Sequence, residues 1–285
     1  APALSFLAGV ATRDEASGSL VIDLILTSPS ASVVTAPISY FGTASSGADY
    51  TASSTLVSFP PGSTSTTVTL SLIDDAIDEP NESVVVVIDP PVGATLGVIP
   101  VATVTVLDND APPTLTFATA TSAAGESAAL ASIIVSISSV SGFPITVPFS
   151  VGGSATNGID YSISASPLVI PAGATSAAIT LAPVPDPVNE SDETIEVSLG
   201  TPTNALLGSP LLHILTLQDE SDLPSVFFDV GSVTRAEGSA LANVVIRLSA
   251  ISALDVTVAL AITGTAEDGL DYGGVPTTVI IASGS

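Results

Sequence analysis

The amino-acid sequence repeats itself at a fixed offset of 111 residues, which limits the chain to a tandem array of one small fold. Phe6, Phe117 and Phe228 are related by this offset, as are Tyr50, Tyr161 and Tyr272, and Gly42, Gly153 and Gly264. Acidic positions follow the same rule: Glu15, Glu126 and Glu237 form one set, and Asp49, Asp160 and Asp271 another. No gap is needed to align the copies. The period therefore predicts three domains, at residues 1–111, 112–222 and 223–285, the third a partial copy. The connections Asp108 to Pro113 and Asp219 to Pro224 are short, acidic and contain Pro, which predicts extended, stiff linkers.

Each copy reads as strands. Leu20, Ile22, Leu24 and Leu26 alternate with Val21, Asp23 and Ile25, the period of two of a strand with one face packed inward. The inward set stays apolar in the later copies, as Ala131, Ile133, Val135 and Ile137 and then as Ala242, Val244, Ile246 and Leu248. The opposite face drifts, to Ser132, Ile134 and Ser136 and to Asn243, Val245 and Arg247, so the first set marks the core. Short apolar runs separated by Pro, Gly, Ser and Asn predict an all-β chain of sandwiches with no long helix. By strand alternation the three repeated tyrosines are expected to point inward. His213, alone in the chain, is expected at an edge or on the surface.

The loop from Leu72 to Glu82 carries five carboxylates within nine residues: Asp74, Asp75, Asp78, Glu79 and Glu82. The chain has only three cations, Arg13, Arg235 and Arg247, against a formal net charge of −25. Two like charges about 4 Å apart repel by about 4 kcal/mol at an effective dielectric near 20, so such a cluster calls for a counterion. Hard divalent cations supply one, and Ca²⁺ takes six to eight oxygen ligands from groups of this kind. The same charge balance excludes nucleic acid and anionic membrane surfaces as partners. Charged residues are 11% of the chain and hydrophobic ones 46%, so it can bury a core despite its acidity. Cysteine is absent, which removes disulfides, thiol chemistry and Cys-ligated metals. There is no run of eighteen apolar residues for direct membrane insertion. The start at Ala1-Pro2-Ala3 reads as a processed protein or a piece of a longer one.

The order of motifs resembles a known family. Repeat one holds Glu15, Gly42-Thr43-Ala44-Ser45-Ser46-Gly47-Ala48-Asp49-Tyr50, Pro61-Gly62, Asp74-Asp75, Glu79, Glu82, Leu96-Gly97 and Ala102 to Asp110, and this series resembles the Calx-β repeat. The resemblance spans essentially the whole chain, as two full copies and the first part of a third. It implies tandem immunoglobulin-like antiparallel β-sandwiches arranged as a rod, with Ca²⁺ at one end of each sandwich beside the interdomain junction. Carried over by position, it implies ligands at Glu15, Asp49, Asp74, Asp75, the Ile77 carbonyl, Glu79, Glu82, Asp108 and Asp110. Repeat two keeps Glu126, Asp160, Asp186, Glu190, Glu193 and Asp219 but has Pro185 for Asp74 and Ser221 for Asp110, which implies fewer or weaker ions. Repeat three keeps Glu237 and Asp271.

Catalysis finds little support in the sequence. There is no repeated Ser/His/Asp set and no Gly-rich phosphate loop, and the recurring carboxylates fit metal binding better than glycoside hydrolysis. The sequence thus predicts a non-enzymatic, extracellular or cell-surface structural or adhesive protein, a Ca²⁺-stiffened rod or fibre. Its expected partners are other copies of itself or further repeats of a longer chain, with a surface ligand or glycan in second place. The alternative is a set of regulatory Ca²⁺-sensing domains of a membrane transporter. Asn81-Glu82-Ser83 and Asn189-Glu190-Ser191 fit the N-glycan pattern but lie inside the acidic loops, where a glycan would crowd an ion. Repeat three, lacking its last strands, is expected to be completed by other polypeptide.

Overall fold

The computed structural model describes residues 1–285 except Glu237, Ser239 and Ala240. Repeat one forms β1 (Ala3–Phe6), β2 (Val10–Asp14), β3 (Ser19–Leu26), β4 (Val34–Gly42), β5 (Tyr50–Ala52), β6 (Leu56–Phe59), β7 (Ser65–Leu72), β8 (Glu82–Ile88), β9 (Thr95–Leu96) and β10 (Val101–Leu107). These make two five-stranded sheets, ordered β5-β7-β3-β1-β9 and β2-β10-β8-β4-β6. The period of two sets the burial. Leu20, Leu24 and Leu26 of β3 and Val68, Leu70 and Leu72 of β7 face Val84, Val86 and Ile88 of β8 and Val104 and Val106 of β10 in one core. Each such side chain contributes roughly 1.5–3 kcal/mol on burial. Most pairs are antiparallel, but the opening strand is split between the sheets, and its halves pair in parallel, β1 with β9 and β2 with β10. That split covers an edge of each sheet with local chain.

Repeat two repeats this plan with β11 (Thr114–Phe117), β12 (Thr121–Gly125), β13 (Ala131–Ile137), β14 (Ile145–Val147), β15 (Phe149–Gly153), β16 (Tyr161–Ile163), β17 (Leu168–Ile170), β18 (Ser176–Pro183), β19 (Glu193–Leu199), β20 (Leu206–Leu207) and β21 (Leu212–Gln218). It encloses its own core around Leu115, Phe117, Ile133, Val135, Ile179, Leu181, Ile195, Val197 and Leu215. Tyr50 and Tyr161 are buried, as expected. His213 departs from expectation. It sits on β21 between β12 and β19, is 1% exposed, and packs on Phe117 with ring centroids 5.6 Å apart. Its Nδ1 lies 2.8 Å from the Thr119 carbonyl and its Nε2 2.8 Å from Ser122 Oγ, so both ring nitrogens are satisfied inside the sheet. Burial is tolerated because the polar atoms find partners.

Repeat three is an open half. It forms β22 (Val226–Phe228), β23 (Ile246–Leu248), β24 (Val256–Ala259) and β25 (Thr278–Ile281), paired only as β22-β23 and β24-β25 among the described residues. Phe228 is 56% exposed where Phe6 and Phe117 are each 1%, and Val244 is 59% exposed where Ile133 is 1%. Tyr272 is only half-buried. Phe228, Val244, Ile246, Leu260 and Tyr272 line an open cleft of about 1000 Å³. Among the described residues, 223–285 do not form a closed, packed domain.

One repeated glycine position shows how closely the neighbouring strand approaches. Gly42 has φ of 124°, and a Cβ there would lie 2.0 Å from the Ser83 carbonyl oxygen of β8; Gly153 (φ 113°) would meet Thr194 O of β19 at 2.1 Å. Gly264 keeps a positive φ, yet a Cβ there meets nothing within 4 Å. Gly42→Ala adds both left-handed strain and a backbone clash, and is expected to destabilise repeat one by at least about 2 kcal/mol in urea denaturation. Gly264→Ala, with strain but no wall to strike, should cost distinctly less.

Candidate metal centre

Strand direction brings the acidic residues of repeat one to one end of its sandwich. β2 and β10 run in parallel, pairing Asp14 with Leu107, while β10 and β8 run antiparallel, pairing Val106 with Glu82. Glu15, in a short 3₁₀ turn after β2, therefore emerges beside Asp108 and Asp110 after β10 and Glu82 at the start of β8. The loop leaving β7 adds Asp74, Asp75, Ile77 and Glu79, and it is tied to the turn before β5 by Ile73 N donating to the Asp49 carbonyl at 2.9 Å.

Loop hydrogen bonds hold these carboxylates in place. Asp75 Oδ1 accepts from Ile77 N at 2.8 Å and Asp108 Oδ1 from Glu79 N at 3.2 Å, while Asp108 N donates to Asn81 Oδ1 at 3.0 Å. Asp49 Oδ2 accepts from Ser45 N. The tightest group is Glu15, Asp75 and Asp110, each offering an oxygen within 4.8 Å of the others. Glu15 Oε1 and Asp110 Oδ2 are buried and have no donor. Both residues belong to this close group, and two ionised carboxylates cannot hydrogen-bond each other; they need a shared proton or a cation. Burial, the neighbouring Asp110 carboxyl and the charges of Asp108 and Asp75 push the Glu15 carboxyl up to about 7. Burial and the adjoining Asp49 raise Glu82, and burial with the charges of Asp75, Asp49 and Asp108 raises Glu79. An all-oxygen, all-anionic donor set with orphaned buried oxygens fits a hard divalent cation such as Ca²⁺.

Not every expected ligand joins the triad. Asp74 Oδ1 accepts instead from Asn109 Nδ2 at 3.4 Å, on the outer side of the cluster. Asp49, Glu79 and Glu82 form a neighbouring acidic group, and Ile77 meets the cluster through its N–H, which donates to Asp75. Asp78 is buried against Ser141 of repeat two while its charge still reaches Asp108, a role the reading of the loop as a ligand set overlooked. The signal was present: serines at 30, 141 and 252 share the repeat offset, as do Asp78 and Asn189.

In repeat two the same elements place Glu126, Asp160, Asp186, Glu190, Glu193 and Asp219 alike. Asp186 Oδ1 accepts from Val188 N at 2.8 Å and Asp160 Oδ2 from Thr156 N at 2.6 Å. Ser221, standing for Asp110, donates its hydroxyl to the Asp186 carbonyl at 3.1 Å, so a hydrogen bond replaces an anionic ligand. Among the described residues no tight carboxylate triad matches that of repeat one. Glu126 is nevertheless pushed up to about 7 by burial and by the charges of Asp219, Asp186, Glu190 and Asp160. Glu190 and Glu193 are raised as well, mainly by burial. The amide of Asn189 is buried and donates to Asp219 Oδ2 at 3.2 Å, leaving no room for a glycan. In repeat three Asp271 Oδ2 accepts from Glu267 N at 2.8 Å, while Glu237 lies outside the described residues.

A family model described as the Calx-beta domain matches residues 1–110, 108–220 and 219–285. The chain is similar to the crystal structure of CBD12 from CALX1.2, with 22% identity over 75% of this chain and 99% of that one, at a TM-score of 0.36. It is similar to the calcium binding domain CBD12 of CALX1.1, with 21% identity over 74% and 98% of the two chains, also at 0.36. The apo-form Calx CBD1 domain is 29% identical over 38% of this chain and 98% of its own, at a TM-score of 0.36. No match is found among curated protein sequences.

Proposed function

The chain belongs to the Calx-beta domain family, and from that premise we propose that it is a non-enzymatic, extracellular structural or adhesive rod stiffened by Ca²⁺. The observation that carries this reading is the triad of Glu15, Asp75 and Asp110, with two buried oxygens lacking any donor; its Asp75 lies on the loop that touches the next repeat through Asp78. Three anions within 4.8 Å of one another repel by a few kcal/mol per pair, and a bound dication converts that repulsion into attraction. Glu15, Asp75 and Asp110 would hold the ion, with Asp49, Glu79, Glu82 and Asp108 available for others. The ion supplies charge neutralisation and links the acidic loop to the strand ends, which fixes the loop facing the junction.

His213, the chain's one histidine, has both ring nitrogens engaged within the sheet, which favours a structural over a catalytic role. A Ca²⁺ sensor would use the same carboxylates but needs an ion-dependent change in domain orientation. The test is calorimetric titration of the full chain with Ca²⁺ beside Asp110→Ser, which gives repeat one the residue of repeat two. The variant should lose its tightest site or bind it at least about tenfold more weakly, roughly 1.4 kcal/mol. Unchanged binding would remove the triad from the site. Small-angle scattering with and without Ca²⁺ separates rod from sensor: the rod narrows its spread of shapes, whereas the sensor adopts a second one.

A further inference from the structure

The two junctions in the chain are built from one repeated contact. At the first, Gly142 N donates to the Asp78 carbonyl at 2.9 Å, and Ser141 Oγ lies 3.3 Å from that carbonyl and 3.4 Å from Asp78 Oδ2. At the second, Ala253 N donates to the Asn189 carbonyl at 3.0 Å, and Ser252 Oγ lies 3.4 Å from Asn189 Oδ1 and 3.0 Å from Leu254 O. Both pairs form isolated parallel bridges, and both are buried: Asp78 and Asn189 are 8% exposed, Ser141 and Ser252 1%. An Asp or Asn on the acidic loop of one repeat thus hooks onto a Ser and the following N–H of the next.

Repeat one carries the same receiving half. Ser30 is preset by the bonds that preset its counterparts. Gly62 N donates to the Ser30 carbonyl at 2.9 Å, as Gly173 does to Ser141 and Gly284 to Ser252. Ser32 N donates to Ser30 Oγ at 3.1 Å, as Phe143 does to Ser141 and Leu254 to Ser252. Here Ser30 is only half-buried and Ala31 is exposed. The Ala31 N–H, counterpart of the Gly142 and Ala253 donors, makes no hydrogen bond among the described residues. Ala253 shows that a methyl group at this position is accommodated within a junction.

We propose that the Ser30–Ala31 surface of repeat one is a docking site for the acidic loop of another domain of this family, one offering Asp or Asn at the position of Asp78. The partner is set by chemistry: a backbone carbonyl for the Ala31 N–H and a side-chain oxygen for the Ser30 hydroxyl, in tandem register. Neither Asp78 nor Ser141 belongs to the carboxylate triad, so the contact is made by groups other than the three that would hold the ion.

The test places a copy of residues 112–222, which encloses its own core, directly ahead of Ala1 in the full chain and follows amide hydrogen exchange. In the fusion, Ala31 should exchange at least about tenfold more slowly than in the parent, approaching Gly142 and Ala253. Replacing the Asn189 of the added copy by Ala should leave the backbone bond and remove only part of this protection. An Ala31 rate unchanged by the fusion, while Gly142 stays protected, overturns the proposal. Concentration-dependent protection of Ala31 in the unfused chain overturns it too, because a second copy would then be the occupant.

Discussion

Withdrawing Ca²⁺ with a chelator at pH 7.5 is expected to lower the melting temperature of repeat one by about 10 °C and that of repeat two by much less. A ligand that binds only the native state stabilises it by about 2.7 kcal/mol at one hundred times its dissociation constant. For a domain of this size each kcal/mol corresponds to several degrees. Chelation also restores the repulsion among Glu15, Asp75 and Asp110, which the fold holds together with buried, donorless oxygens. Repeat two starts from a lesser deficit, because Ser221 spends a hydrogen bond where repeat one has Asp110. Each repeat has its own core, so exchange at Val84 and Val86 reports on one and at Ile195 and Val197 on the other. Equal Ca²⁺ dependence in the two would mean that the triad is not what the ion stabilises.

The sequence made the layered plan legible because burial in a sandwich follows a period of two. Leu24 and Val135 read as core from their alternation and are fully buried. Residues whose placement depends on a partner outside their own strand were harder to read. His213 looked like an edge residue because alternation says nothing about Ser122 and Thr119, which satisfy it. Asp78 was counted with its acidic neighbours, since loop composition cannot show that one carboxylate turns toward Ser141 while Asp75 turns toward Glu15. The split first strand was also hidden, because β1 and β2 join different sheets only when Thr95 and Thr103 arrive to pair with them. Val244 and Ile246 keep the apolar pattern of a core that the described chain does not close.

The pH dependence of stability should reverse sign with Ca²⁺. In chelator, the folded chain holds Glu15 and Glu126 at about 7, raised first by burial and then by their acidic neighbours, against an ordinary value of 4.5. Glu79, Glu82, Glu190 and Glu193 are raised in the same direction. Between about pH 4.5 and 7 the native state therefore binds more protons than the unfolded chain, so stability falls as pH rises through this window. These carboxylates are partly open to solvent, so each contributes on the order of 1 kcal/mol after screening is allowed for. Glu220, held low by hydrogen bonds from Ser127, works in the opposite sense only below this window. With saturating Ca²⁺ the ligands must be ionised, protons compete with the ion, and stability should rise from pH 5 to 8. Thermal melts of the full chain at pH 5 and pH 8, in chelator and in Ca²⁺, measure both slopes. The slope should be negative in chelator and positive in Ca²⁺, with the larger reversal in repeat one. Stability that rises with pH in chelator would show that Glu15 and Glu126 are not held protonated in the folded chain, and the electrostatic case for a cation within each repeat's acidic cluster would fall with it.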